Sequence, residues 1–314
     1  TTFRRASEAL RAHLGVARYM VRRDAEDLQH ALGSARADRE SVLGAVRQNG
    51  LLLTHASPSL KADRELVSAA LRQTGLALKS AAPKLQEDPS IVLLAVCQCG
   101  KALKYACSEL RSDRSMVIAA CRSDGIALKS ADRAFSEDRD VVLEAVRSNG
   151  LALQFASEEL RADEEVILEA VRSTGGAWIY ADSELRTRRD FLLRAVTANY
   201  KALKYMSEAV RSDPEVVLAA VRQEGRALKY ACEELRADPE LVLEAVRSRR
   251  EALEFASTDL QREVSFFDVA GSPWTDVGRS PVGEVVKIGL CRRGDVDGGG
   301  SWPKEFRGGA VAQH

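Results

Sequence analysis

The chain has 314 residues, with 46 basic and 46 acidic side chains, so its formal net charge is zero. That balance argues against a protein built to coat nucleic acid, which carries a basic excess. No run of about 18 apolar residues occurs, which argues against a membrane-spanning helix.

The first 25 residues are rich in arginine and lack the apolar core of a secretory signal. They resemble a transit peptide in composition, but Ala6-Ser7-Glu8-Ala9-Leu10-Arg11-Ala12 is in register with Ala156-Ser157-Glu158-Glu159-Leu160-Arg161-Ala162. We therefore read this segment as structural. A start at Thr1 rather than Met is what a processed or excised chain shows.

The tract Ala-Val-Arg-Gln-Asn-Gly at 45–50 then returns every 25 residues, nine times in all, ending as Ala-Val-Arg-Ser-Arg-Arg at 245–250. No insertion breaks the register. A fixed period of this size is the mark of a solenoid, one supersecondary unit stacked on itself. A degenerate copy near 13–37, with Met20 where the others carry Ala and Ala25 where most carry Gly, is what a capping repeat looks like and brings the number to ten.

Each copy opens with an Asp: Asp38, Asp63, Asp88, Asp113, Asp138, Asp163, Asp213 and Asp238. The spacing predicts a helix N-cap there, with Pro89, Pro214 and Pro239 at the first helical position and an acid next in most copies. Gly50, Gly75, Gly100, Gly125, Gly150, Gly175 and Gly225 predict the helix stop, in the left-handed conformation. Helix A is thus expected over roughly 39–49, about three turns. Its apolar stripe, Val141, Val142, Leu143, Ala145 and Val146 in one copy, is too wide for a surface helix and predicts a sandwich between neighbours. An Ala fixed at 45, 70, 95, 120, 145, 170, 195, 220 and 245 predicts a close backbone approach. Helix B is expected after the glycine, about ten residues long and marginal without stacking. Its apolar edge is Ala152, Leu153, Ala156 and Leu160.

The unit, as in Asp213–Asp238, resembles the domain-of-unknown-function 4116 repeat family at its cap, Ala-Val-Arg, Gly, Ala-Leu and Leu-Arg-Ala-Asp positions. The resemblance implies a helical repeat array without an assigned activity, so no catalytic residue carries over. Tyr200, Arg188 and Arg250 depart from the pattern and imply weaker turns or caps locally.

After Gln261 the pattern fails, and 264–314 has the Gly- and Pro-rich composition of a linker, with one short strand expected at 284–290. Asp295-Val296-Asp297-Gly298 hints at a calcium loop, but Gly299 and Phe306 stand where ligands are needed. The expected fold is all-α: an α-solenoid of about ten 25-residue helix-turn-helix repeats over 1–263, followed by an irregular C-terminal tail over 264–314.

No catalytic, cofactor or metal constellation is found. The only histidines are His13, His30, His55 and His314; His30 and His55 share a packing slot that elsewhere holds Tyr or Phe. Cys97, Cys99, Cys107, Cys121, Cys232 and Cys291 read as free thiols in a reducing compartment, and the chain as intracellular and cytoplasmic. Two ladders carry candidate partner-binding residues. Arg47, Arg72, Arg122, Arg147, Arg172, Arg222 and Arg247 recur at one slot of helix A, with Arg147, Arg172 and Arg222 the leading candidates. Against recognition of an anionic partner stands an ion pair to a cap Asp or a nearby Glu. Lys101, Lys104, Lys201, Lys204, Arg226 and Lys229 lie on helix B beside Tyr105, Tyr205 and Tyr230. Basic residues interleaved with aromatics suit single-stranded nucleic acid, against which stands a solvated face of mixed charge.

The expected function is a non-catalytic scaffold for protein–protein interaction, with no cofactor and no membrane. The alternatives are a repeat-type single-stranded nucleic-acid binder, which zero net charge disfavours, and an accessory array of a larger enzyme.

Overall fold

The computed structural model describes residues 3–262. The tail expectations at 264–314, the strand and calcium loop among them, lie outside these residues, as does Cys291. Among the described residues no helix is long and apolar enough to cross a membrane.

Ten α-helices of ten residues each begin at intervals of 25, from Leu14–Arg23 and Arg39–Gln48 to Pro214–Gln223 and Pro239–Ser248. No strand occurs among the described residues. The expected caps are in place. The Asp63 carboxylate accepts from the N–H groups of Glu65 and Leu66, and Asp138, Asp163 and Asp238 cap their helices in the same way, whereas Asp38 accepts from one backbone N–H, that of Ser41. These bonds satisfy donors that the first turn leaves without an intrahelical partner. Arg188, which replaces the Asp, makes no side-chain cap.

The glycines do something other than expected. The long helix ends on the residue before them, in extended conformation, as at Asn49 (φ −142°), whose N–H bonds the Ala45 carbonyl at 2.9 Å. Among the described residues only Gly33 has a positive φ, +55°. What demands glycine is steric. A Cβ on Gly50, Gly75, Gly100, Gly125, Gly150 or Gly225 would come closer than 3.0 Å to the carbonyl oxygen of the alanine twenty residues on. The glycine and alanine slots are therefore two halves of one contact, between the turn of one copy and the long helix of the next. All nine alanines of the slot are fully buried.

Helix B is also revised, into two pieces. Gly150–Phe155 is a six-residue 3-10 helix, Ala156 is extended (φ −73°, ψ 156°), and Glu158–Arg161 forms one α-helical turn. The break frees a backbone donor for the neighbouring copy. Ser157 N–H bonds the Ser136 carbonyl at 2.8 Å, Ser57 that of Arg36 at 2.9 Å, and Ser257 that of Arg236 at 2.8 Å. A continuous α-helix would have kept those donors to itself. Ser207, in the copy that Arg188 opens, makes no such bond.

The long helices pack side by side in one column and the 3-10 helices in a second, each 3-10 helix lying against its own long helix and the next. Val141, Val142, Ala145 and Val146 meet Ala152 and Leu153 in the layer between, all fully buried. Trp178 fills the leucine slot of its copy, stacked on Phe191 with ring centroids 5.8 Å apart.

Gly125 and Ala145 test the close contact. Gly125 has an ordinary φ, so replacing it with Ala would by backbone entropy alone stabilise by about 0.4–1 kcal/mol. Gly125→Ala is instead expected to destabilise, and Ala145→Leu to cost about 1–3 kcal/mol through overpacking. Urea unfolding followed by far-UV circular dichroism measures both; a stabilised Gly125→Ala protein would refute the contact.

Candidate partner-binding faces

The arginine ladder lies on the exposed side of the long helices, and its later members are held by glutamates rather than by cap aspartates. Arg122 Nε donates to Glu144 at 2.7 Å, and Arg147 reaches Glu144 at 3.5 Å and Glu169 at 3.8 Å. Arg172 pairs with Glu169. Arg222 and Arg247 share Glu244, at 3.3 and 3.6 Å. The carboxylate of one copy thus sits between the guanidinium groups of two, and Arg122 draws the Glu144 pKa below its usual range. Of the candidates on this face, Arg147, Arg172 and Arg222 each have a carboxylate partner.

The cap aspartates belong to a different set of arginines, one that sequence reasoning passed over. Arg39 Nε pairs with Asp63 at 2.7 Å and its terminal nitrogen with Glu65 at 2.6 Å. Arg114 holds Asp138 and Asp140, both at 3.0 Å, and Arg189 holds Asp213 at 3.2 Å and Glu215 at 2.7 Å. Arg64 reaches Asp88, and Arg18 reaches Asp38 at 2.5 Å. The signal was present: the residue after the cap Asp is Arg in four of the five Asp-capped copies that lack Pro there, Asp38-Arg39, Asp63-Arg64, Asp113-Arg114 and Asp138-Arg139, the exception being Asp163-Glu164. These pairs staple six of the copies to the ones before them, and Arg188 with Glu164, at 2.7 Å, makes the same link with the charges exchanged. The Arg18 guanidinium, which donates to Asp38, is the largest cause of that carboxyl's fall to a pKa of about 2; burial opposes it and the Ser41 hydroxyl adds to it. Arg39 and Arg114 lower Asp63 and Asp138 in the same way.

The second face is the column of 3-10 helices. Here Lys104 stands over the Tyr105 ring at 4.7 Å, Lys204 over Tyr205 at 5.4 Å and Lys229 over Tyr230 at 4.9 Å. Lys201 lies 6.0 Å from the Tyr200 ring centroid. Lys101 pairs with Asp124 at 3.3 Å and Arg226 with Glu251 at 3.4 Å. The six basic candidates do not form one patch. Tyr200–Tyr205 and Gly225–Tyr230 are neighbours, whereas Gly100–Tyr105 stands four copies away, flanked by Lys79 and Lys129 in the adjacent 3-10 helices.

His55 packs at its expected slot, its pKa lowered by burial first and by Arg36 and Lys61 next. Among the described residues no three His, Cys, Asp or Glu side chains gather as a metal site requires. The buried Cys121 thiol is pushed up to about 12, by burial foremost and then by Asp124 and Glu144, so it is protonated at neutral pH.

The profile of a domain of unknown function, DUF4116, matches residues 38–86, 88–136, 138–186, 163–211, 188–236 and 213–261. The chain belongs to the DUF4116 family. Every match starts at a cap position and runs through two copies, so the DUF4116 unit corresponds to a pair of the 25-residue repeats seen here. Where matches overlap, as at 138, 163, 188 and 213, they start one copy apart. No curated protein and no solved structure matches the DUF4116 chain.

The lowered carboxyl pKa values set a pH dependence. Asp38, Asp63 and Asp138 titrate lower in the folded chain than when unfolded, so their contribution is complete above the usual carboxylate range and is lost as pH falls through their folded values. The thermal midpoint is expected to hold from neutral pH down to about 5 and to drop between about 4 and 2. Asp38→Ala, which removes both cap and staple, is expected to cost about 0.5–2 kcal/mol at pH 7 and less at low pH. Circular dichroism melts across that range measure this; an equal cost at both ends would exclude the charged form as the cause.

Proposed function

We propose that this array is a non-catalytic scaffold that binds a protein partner along its column of 3-10 helices. One observation carries the reading: slots that recur in every copy are consumed by stacking, while a slot that varies faces solvent. That slot holds Thr54, Lys79, Lys104, Lys129, Gln154, Ile179, Lys204, Lys229 and Glu254, all exposed. Ile179, 45% exposed, is an apolar side chain on a face that stability alone would make polar. A rigid frame that repeats, with side chains that do not, suits recognition of an extended surface. We place the chain in a reducing compartment, the cytoplasm, because its repeat cysteines fall at slots where other copies carry Arg, Ser or Val.

A single-stranded nucleic-acid partner is less well supported. The ammonium groups of Lys104, Lys204 and Lys229 occupy tyrosine ring faces on which a base would stack. The mixed pairs Lys101–Asp124 and Arg226–Glu251 place carboxylates on the same column.

The test compares the full chain with a Lys104→Glu/Lys204→Glu/Lys229→Glu variant. These side chains are exposed, so unchanged helicity is expected. Affinity capture after nuclease treatment is expected to yield a protein retained by the first and lost by the second. Binding of single-stranded oligonucleotides with a steep salt dependence, lost in the same variant, would replace the protein reading with the nucleic-acid one.

A further inference from the structure

The arginine ladder is unevenly neutralised, and the unevenness follows one residue. In the later copies the slot three residues before the ladder arginine holds Glu144, Glu169 and Glu244, about a quarter exposed, each between two guanidinium groups. In the second and third copies that slot holds Gly44 and Ala69, and in the fourth Leu94. Arg47 and Arg72 therefore have a glutamate at that slot neither in their own copy nor in the next. Both are exposed, and neither has an ion-pair partner among the described residues.

A groove of about 520 Å³ opens beside them. Arg39, Arg47, Arg64 and Arg72 line it, with Ala69 in the wall where a later copy would project a carboxylate. A Cβ built on the nearby Gly44 would meet no atom within 4 Å. The one acid in the lining, Glu65, is already held by Arg39 at 2.6 Å, and Arg64 by Asp88. Arg47 and Arg72 line the groove without a carboxylate partner among the described residues.

We propose that this groove docks an acidic segment of a partner protein, whose Glu or Asp side chains enter where Glu144, Glu169 and Glu244 lie in the other copies. The array itself shows the chemistry: a carboxylate at 2.7–3.5 Å from guanidinium groups one repeat apart, as Glu144 is from Arg122 and Arg147. Two such arginines in successive copies favour a chain with repeated carboxylates over a single small anion. The groove lies on the long-helix column, so the proposal goes beyond the scaffold reading and makes no use of the lysines on the 3-10 column.

The test is fluorescence anisotropy of a labelled glutamate-rich synthetic peptide with the full chain, at low and at physiological salt. The wild-type chain is expected to bind it and to ignore a lysine-rich peptide of equal length. Ala69→Glu restores the internal carboxylate and is expected to abolish binding without lowering the thermal midpoint, since that residue serves at the same slot elsewhere. Ala219→Glu, beside the already paired Arg222, leaves binding unchanged. Arg47→Ala/Arg72→Ala weakens it by about tenfold or more, as loss of charge-assisted bonds requires. No peptide binding, or binding indifferent to Ala69→Glu and to Arg47→Ala/Arg72→Ala, overturns the proposal. So does displacement of the peptide by inorganic phosphate or by oligonucleotide at equal charge concentration, which would mark a general anion site. Binding is expected to survive Lys104→Glu/Lys204→Glu/Lys229→Glu, so failure here and failure of the scaffold reading are separate results.

Discussion

The approach of a glycine Cα to an alanine carbonyl in the next copy is the constraint on which the array rests. Six glycines make it with the alanine twenty residues on, and any side chain on the glycine would push the copies apart. At that distance the Cα hydrogen that stands in place of Cβ is directed at the carbonyl oxygen, a weak polar contact added to tight packing. The rest of the stack follows from this spacing. It lets each 3-10 helix reach two long helices, and it brings Ser57 and Ser157 within hydrogen-bonding distance of the preceding copy. It also sets the cap aspartates opposite the arginines that open the preceding long helices. One dimension of short contacts replaces the closed core of a globule.

Much of this was legible in the residues, for identifiable reasons. Caps are local chemistry, so Asp63 or Asp138 could be read as an N-cap from its neighbours alone. The buried alanine slot was legible because size constraints repeat. The role of glycine was not, because two physical demands, a left-handed φ and the absence of a Cβ, select the same residue. Helix B was misjudged because Ala152, Leu153, Ala156 and Leu160 have helical spacing, while the competing partner for the Ser157 N–H lies in another copy. Periodicity within a segment carries no record of that competition.

The charged faces show the same limit. Arg147, Arg172 and Arg222 stand out in sequence as a row of forks, but glutamates of their own or the adjacent copy already engage them. The more telling residues are Gly44 and Ala69, whose significance is the carboxylate they lack. Lys104, Lys204 and Lys229 were legible as a basic and aromatic face, yet only geometry shows the ammonium groups resting on the rings. Overall neutrality is therefore a sum of local pairings between neighbours, and net charge alone is silent about where the pairing lapses.

Bonding between copies changes form around the copy that Arg188 opens. Arg188 caps nothing, but it pairs with Glu164 of the preceding copy at 2.7 Å. Ser207 forms no backbone bond to that copy, while the Asn199 amide donates to its Val171 carbonyl at 3.0 Å. Toward the next copy, Tyr200 stands where others have glycine, and its N–H bonds the Gln223 side chain at 3.2 Å. In a linear stack each unit answers only to its two neighbours, so a lost backbone bond can be replaced locally by a side-chain one. A single rung can thus drift in sequence while the ladder stays whole.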